Sequence, residues 1–164
     1  MKEKNNRIKE IVDKARKIAE GYFSRGEFFC SESVVHTINQ LMGSPLPHQI
    51  TKLASGFPIG LGKSGCLCGA ISGGVIALGI AYGRNHGETM NPKMFPLSAK
   101  LHDFIKEQYG STCCRVLIKD YDFESPERKK HCIKITGEVA AFVTEVFLKD
   151  ASYTEVITNS DVFS

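Results

Sequence analysis

The chain has 164 residues, of which 42% are hydrophobic and 24% charged, and its formal net charge is +3 at pH 7. This length predicts one domain with one core, and this composition excludes an intrinsically disordered protein. Lysines and arginines alternate with acidic residues instead of forming a basic face, so we expect no nucleic-acid partner.

Apolar residues recur every three or four positions along most of the chain, which predicts an all-α fold. The first helix is expected over residues 8–23. A second helix, which a serine can cap, is expected over 31–42 and ends before a glycine and a proline. A short helix over 47–53 should follow, and then an irregular glycine-rich loop over 55–65.

The segment 68–82 contains no charged residue and is rich in glycine and alanine. Its glycines dilute the hydrophobicity that a membrane span of ~20 residues requires, so we expect a buried central helix and no membrane span. Small residues at four-residue steps give this helix a smooth side that another backbone or a cofactor can approach closely. These residues are Gly69, Gly73, Ala77 and Ala81.

Three further helices are predicted, over residues 92–109, 113–118 and 126–149. Residues 151–164 show no clear helical stripe and are expected to form a C-terminal tail or arm. The chain is therefore predicted to be a single-domain helical bundle over 1–150, followed by this tail. The small-residue helix and the apolar stripes are also compatible with a homodimer.

Six cysteines are the unusual feature of the composition. The N-terminal segment has no apolar central region typical of a secretory signal, which predicts a cytoplasmic protein. Because thiols stay reduced in that compartment, the cysteines are better explained by metal binding or redox chemistry than by a structural disulfide framework. No two cysteines have the spacing of a zinc knuckle or a thioredoxin-type motif.

Most of the cysteines are expected near helix starts. Cys30, Cys68 and Cys114 lie at or beside a predicted start, and Cys132 lies in the first two turns of the last helix. Unpaired N–H groups and the positive end of the helix dipole favour a thiolate there, the form that binds metal or attacks a disulfide. Several converging thiolates would repel one another unless a cationic iron or zinc centre offset their charge.

The segment from Cys30 to Leu148 resembles the C_GCAxxG_C_C family of redox-active proteins. The resemblance is carried by FCSESVV around Cys30, CGAISGGVIALGIAYGR from Cys68, YGSTCCR around Cys114 and HCI around Cys132. The family is similar to the C-terminal part of split-Soret cytochrome c, in which an iron–sulfur centre accompanies haem.

The resemblance implies that Cys30, Cys68, Cys114 and Cys132 ligate an iron–sulfur cluster, with [2Fe–2S] favoured and tetrahedral zinc as the alternative. Haem is not expected, because the sequence contains no CxxCH attachment motif. Two further thiols stand close beside these residues and could substitute in the ligand set. They are Cys66 and Cys113, and Cys66 could also act as a resolving thiol in disulfide exchange.

The leading hypothesis is a redox protein that uses its cluster for electron transfer or redox sensing with an unidentified partner. The alternatives are a structural zinc module and a metal-free thiol–disulfide oxidoreductase that uses pairs among Cys66, Cys68, Cys113 and Cys114. Whether the chain is an enzyme stays open at this point.

Outside the cysteines, three residues are weaker candidates. His131 could donate a hydrogen bond beside Cys132, and Arg84 and Arg115 could neutralise cluster charge. An ordinary surface or packing role is expected for all three.

Overall fold

The computed structural model describes residues 2–159, with side chains from residue 5 onward. Helices make up most of that range and none of its residues forms a β-strand, which confirms the predicted all-α, single-domain bundle. The elements are α1 (Lys2–Ser24), α2 (Cys30–Leu41), a 3-10 helix (His48–Ala54), α3 (Pro58–Leu61), α4 (Gly69–Tyr82), α5 (Met94–Tyr109), α6 (Cys114–Leu117), α7 (Pro126–Leu148) and α8 (Ala151–Thr158). In this described part of the chain, no helix combines the length and apolar character needed to cross a membrane.

The core forms where the long helices pack side by side. Helices α1 and α7, of 23 residues each, lie along one another, and α2 contacts both. Helix α4 packs against α2, α5 and α7. Each fully buried aliphatic or aromatic side chain in such a core contributes about 1.5–3 kcal/mol. Those of largest volume include Ile38, Ile71, Leu78, Leu101, Val139 and Phe147.

Helix α4 is the buried central helix that its composition predicts, and its glycines permit two close approaches. A Cβ atom on Gly73 would lie 2.8 Å from the Cα atom of Ser31, and one on Gly69 would lie 2.6 Å from the Sγ atom of Cys30. Ordinary side chains at these positions would clash. The predicted smooth side is therefore confirmed, and the first turn of α2 lies against it.

Two segments differ locally from the sequence prediction. Helix α3 lies inside the predicted irregular loop, and it is a tight turn because Ile59 and Gly60 have φ values of 58° and 65°. Helix α5 begins at Met94 and not at Pro92. The reason is that the side chain of Asn91 accepts a hydrogen bond from Lys93 N–H at 2.9 Å, which makes a turn before the helix.

Helix α8 occupies residues that were expected to form a tail. Asp150 caps it by accepting a hydrogen bond from Ser152 N–H at 3.1 Å, the Tyr153 hydroxyl donates to the Ala81 carbonyl at 2.7 Å, and Ile157 is buried. Such a short helix depends on tertiary contacts, which leave a weak periodicity in the sequence. Residues 160–164 of the expected tail lie outside the described residues, and the proposed domain boundary near residue 150 stays a prediction.

Candidate cysteine site

Four cysteines from separate elements line one cavity of about 600 Å³. Cys30 is the first residue of α2, Cys68 caps α4, Cys114 is the first residue of α6, and Cys132 lies in the second turn of α7. All four are free thiols; Cys68 and Cys114 are buried, and Cys30 and Cys132 are half-buried. The structure thus brings together the four residues that the family resemblance nominated.

The start of α2 is held in place by hydrogen bonds on both sides of Cys30. The buried hydroxyl of Ser31 donates to the Ala54 carbonyl at 2.8 Å. Glu32 accepts from the Phe29 backbone N–H at 2.9 Å and from the Ser55 hydroxyl at 2.6 Å. These contacts join α2 to the 3-10 helix and fix the direction in which Cys30 leaves the backbone.

The segments that carry Cys68 and Cys114 are hydrogen-bonded to each other. Cys68 N–H donates to the Thr112 carbonyl at 2.8 Å, and Arg115 N–H donates to the Gly65 carbonyl at 2.9 Å. Two cysteines that lie far apart in the sequence therefore reach the same side of the cavity through paired backbone segments.

Burial dominates the electrostatics of the four thiols. Loss of solvent raises the pKa of Cys68 to about 12 and that of Cys132 to about 11, and it also raises the pKa values of Cys30 and Cys114. For Cys30, Cys68 and Cys132, a neighbouring cysteine charge raises the pKa further. At neutral pH the thiols are therefore protonated unless a cation offsets their charge.

Helix-start N–H groups oppose this effect but do not overcome it. The backbone N–H groups of Ala70 and Ile71 lower the pKa of Cys68, and that of Ser31 lowers the pKa of Cys30. Their effect has the direction that the helix-start positions predict, toward the thiolate. The desolvation cost of burying each sulfur is larger, so the net pKa shift is upward.

Arg128 is a cation at this cavity that the sequence argument missed. Its positive charge lowers the pKa values of Cys114 and Cys132, and its Nε atom is buried without a hydrogen-bond partner. The guanidinium lies 4.4 Å from the ring centre of Phe123. Its spacing of four residues from Cys132, which places both on one helix face, is the signal that could have found it. The predicted cations Arg84 and Arg115 are exposed and do not line the cavity.

His131 also lies outside the cavity lining. Its ring stacks on Tyr121 at 5.1 Å between centroids and meets Tyr109 edge-on at 5.5 Å. Burial lowers its pKa, and its hydrogen bond is to the Leu117 backbone. The hydrogen bond of His131 that the structure describes therefore does not go to Cys132.

The two remaining cysteines form a disulfide with each other. The Cα atoms of Cys66 and Cys113 are 4.3 Å apart, and neither residue lines the cavity. The residues considered as substitutes for the cavity cysteines are thus paired outside it. Since each lies within two positions of a cavity cysteine, spacing alone could not have separated the two sets.

An all-helical bundle that gathers four thiols around one cavity, with a disulfide beside it, has the features of a redox-active protein. A family model described as "Putative redox-active protein (C_GCAxxG_C_C)" matches residues 28–146. The chain belongs to this family, which confirms the resemblance seen in its motifs. No curated protein and no solved structure matches the chain. The additional similarity to split-Soret cytochrome c is not confirmed and stays a prediction.

Proposed function

We propose that this protein holds an iron–sulfur cluster through Cys30, Cys68, Cys114 and Cys132 and uses it for electron transfer or redox sensing. The observation that carries the proposal is the convergence of these four free thiols on one cavity of about 600 Å³. A [2Fe–2S] cluster is the form we favour. Bound there, a cluster would supply one-electron exchange at iron.

The chemistry of the donors supports a cluster. Four thiolates complete the coordination of either common cluster type. Backbone N–H groups directed at the sulfur atoms of Cys30 and Cys68 stabilise their negative charge. Arg128 adds a positive charge near the other two cysteines. These groups compensate part of the cost of holding thiolates in a buried site.

A single zinc ion is less well supported at this site than a cluster. Zn–S bonds of about 2.3 Å in a tetrahedron bring the four sulfur atoms to about 3.8 Å from one another. Among residues 2–159, no group of three or more His, Cys, Asp or Glu side chains is close enough to share one metal ion. Several irons bridged by sulfide span a wider set of cysteines, so the cavity supports the zinc module less well.

Metal-free exchange among the cavity thiols is also less well supported. Thiol–disulfide exchange requires an accessible thiolate. Cys68 and Cys114 are buried, and their pKa values are raised. The cavity thiols are therefore better suited to holding a cationic centre than to attacking a disulfide.

Anaerobic reconstitution with iron and sulfide tests the proposal. We expect coloured protein with about two irons and two sulfides per chain, and a paramagnetic resonance signal after one-electron reduction. Cys30→Ser and Cys132→Ser should abolish cluster retention, whereas Cys66→Ser and Cys113→Ser are matched controls that should retain it. Circular dichroism verifies that each variant is folded. Colourless protein that binds only zinc, or equal loss in all four variants, would reject the proposal.

A further inference from the structure

The disulfide joins two residues that stand next to cavity cysteines in the chain but do not line the cavity. Cys113 shares a peptide bond with Cys114, and Cys66 is two residues before Cys68. The six cysteines are therefore divided into four cavity thiols and one pair outside, although the segments that carry the pair also carry Cys68 and Cys114. The proposed cluster leaves this Cys66–Cys113 pair without a role.

The two segments do not depend on the disulfide for their contact. One backbone hydrogen bond, from Cys68 to Thr112, lies on one side of the disulfide. A second, from Arg115 to Gly65, lies on its other side. A Cβ atom on Gly65 would lie 2.9 Å from the Cβ atom of Arg115, so the backbones also pack tightly there. Both sulfur atoms would stay close to each other after the bond opens.

The two paired cysteines are less buried than the cavity cysteines beside them. Cys66 and Cys113 are half-buried, whereas Cys68 and Cys114 are 7% and 8% exposed.

We infer that Cys66 and Cys113 form a reversible two-electron couple whose substrates are thiols and disulfides of other molecules. In the reducing direction, a thiolate of an external dithiol attacks one sulfur atom of the pair and forms a mixed disulfide. The second thiol of the dithiol then attacks the mixed disulfide. The external molecule leaves as a disulfide, and the pair becomes two thiols, so electrons and protons balance. An external disulfide reverses these steps.

This inference goes beyond the proposed function and does not require a cluster. In compartments where thiols are kept reduced, disulfides are usually transient and either catalytic or redox-sensing. A pair that is accessible and held in register by flanking hydrogen bonds meets the structural requirements for such exchange.

Graded dithiothreitol buffers, followed by alkylation and peptide mass spectrometry, test the inference. We expect both Cys66 and Cys113 to become alkylated together while circular dichroism stays unchanged, and glutathione disulfide to restore the bond. The Cys30→Ser variant should show the same transition, so that failure of the cluster proposal does not affect this result. Cys66→Ala and Cys113→Ala are controls in which the paired transition must disappear.

Three results would overturn the inference. The first is reduction of the pair only in denaturant, which would make it a structural bridge. The second is a reduced pair that glutathione disulfide does not reoxidise. The third is oxidation that links Cys68 or Cys114 to the pair, because the hydrogen-bonded segments are expected to keep those thiols in the cavity.

Discussion

The absence of a side chain at Gly69 allows Cys30 to reach the cavity. A Cβ atom there would lie 2.6 Å from Cys30 Sγ and 3.0 Å from the Phe57 carbonyl oxygen. The Phe57 carbonyl belongs to the backbone of the turn before α3, so relief of the clash requires the Cys30 sulfur to rotate away from its position in the cavity. The geometry of the site therefore depends on a single missing methyl group.

Gly69→Ala should accordingly destabilise the protein and displace Cys30. We expect a loss of about 1–3 kcal/mol in the free energy of unfolding, the usual cost of overpacking a well-packed site. Urea denaturation measures this loss, and iron content after reconstitution reports on the displaced sulfur.

Gly79→Ala is the matched control in the same helix. No heavy atom lies within 4 Å of its added Cβ atom. We expect this variant to gain roughly 0.5–1 kcal/mol from higher helix propensity and to retain iron normally. Equal stability of the Gly69→Ala and Gly79→Ala variants would contradict the close approach of Cys30 to α4.

At the scale of elements, α8 shows how a short helix is fixed by one charged residue. The Asp150 carboxylate accepts hydrogen bonds from Lys93 Nζ at 2.6 Å, the Tyr82 hydroxyl at 3.1 Å and Ser152 N–H at 3.1 Å. It thereby joins the start of α8 to the end of α4 and to the residue before α5. The hydrogen bond from Lys93 is the main reason that its pKa is lowered to about 2.

This lowered pKa gives Asp150→Asn a defined pH dependence. The pKa of an aspartate is about 3.9 in an unfolded chain, so the charged carboxylate contributes its full stabilisation above about pH 5. That contribution is lost as the pH falls through the folded pKa. The unfolding temperature of the wild type should therefore be higher than that of Asp150→Asn at pH 7. This difference in unfolding temperature should disappear between about pH 4 and pH 2.

Salt provides the control for this prediction. Because the Lys93 side chain is 57% exposed, about 1 M NaCl should screen its charge and reduce the difference in unfolding temperature between the wild type and Asp150→Asn at pH 7. A difference that is independent of both pH and salt would show that the substitution acts through packing and not through charge.

At the scale of the whole molecule, the sequence predicts features that depend on neighbouring residues and misses features that depend on residues far apart in the chain. Helices α1, α2 and α7 have apolar faces several turns long, and that periodicity is a local property of the chain. Helix α8 depends on partners such as Ala81, far away in the sequence, so local pattern did not find it.

The site, like the fold, could be predicted only in part. Family motifs nominated the cavity cysteines, because a motif preserves a spatial arrangement that spacing alone does not encode. The partner of Cys66 depends on how the segments around Gly65 and Thr112 pair, which no local signal shows. Arg128 did have a local signal, its spacing of four residues from Cys132. The raised pKa values of the four thiols could not be predicted either, since burial is a property of the folded molecule.

The proposed cluster would connect a short helix that has few contacts of its own with long helices that pack extensively. Helix α6 has only four residues, whereas α1 and α7 pack along one another. A group bound by Cys30, Cys68, Cys114 and Cys132 links α6 to the starts of α2 and α4 and to α7. Binding energy of this kind adds directly to folding free energy.

Removal of iron should therefore destabilise some helices more than others. We expect the free energy of unfolding to fall by on the order of 3 kcal/mol, the effect of a group bound about 100-fold above its dissociation constant. Hydrogen exchange should accelerate in α6 and in the first turn of α2, and it should change little at the centres of α1 and α7. Cys30→Ser protein given the same chelator treatment is the control, since it should lose nothing further. Uniform acceleration across all helices, or none at all, would show that the group does not bridge these elements.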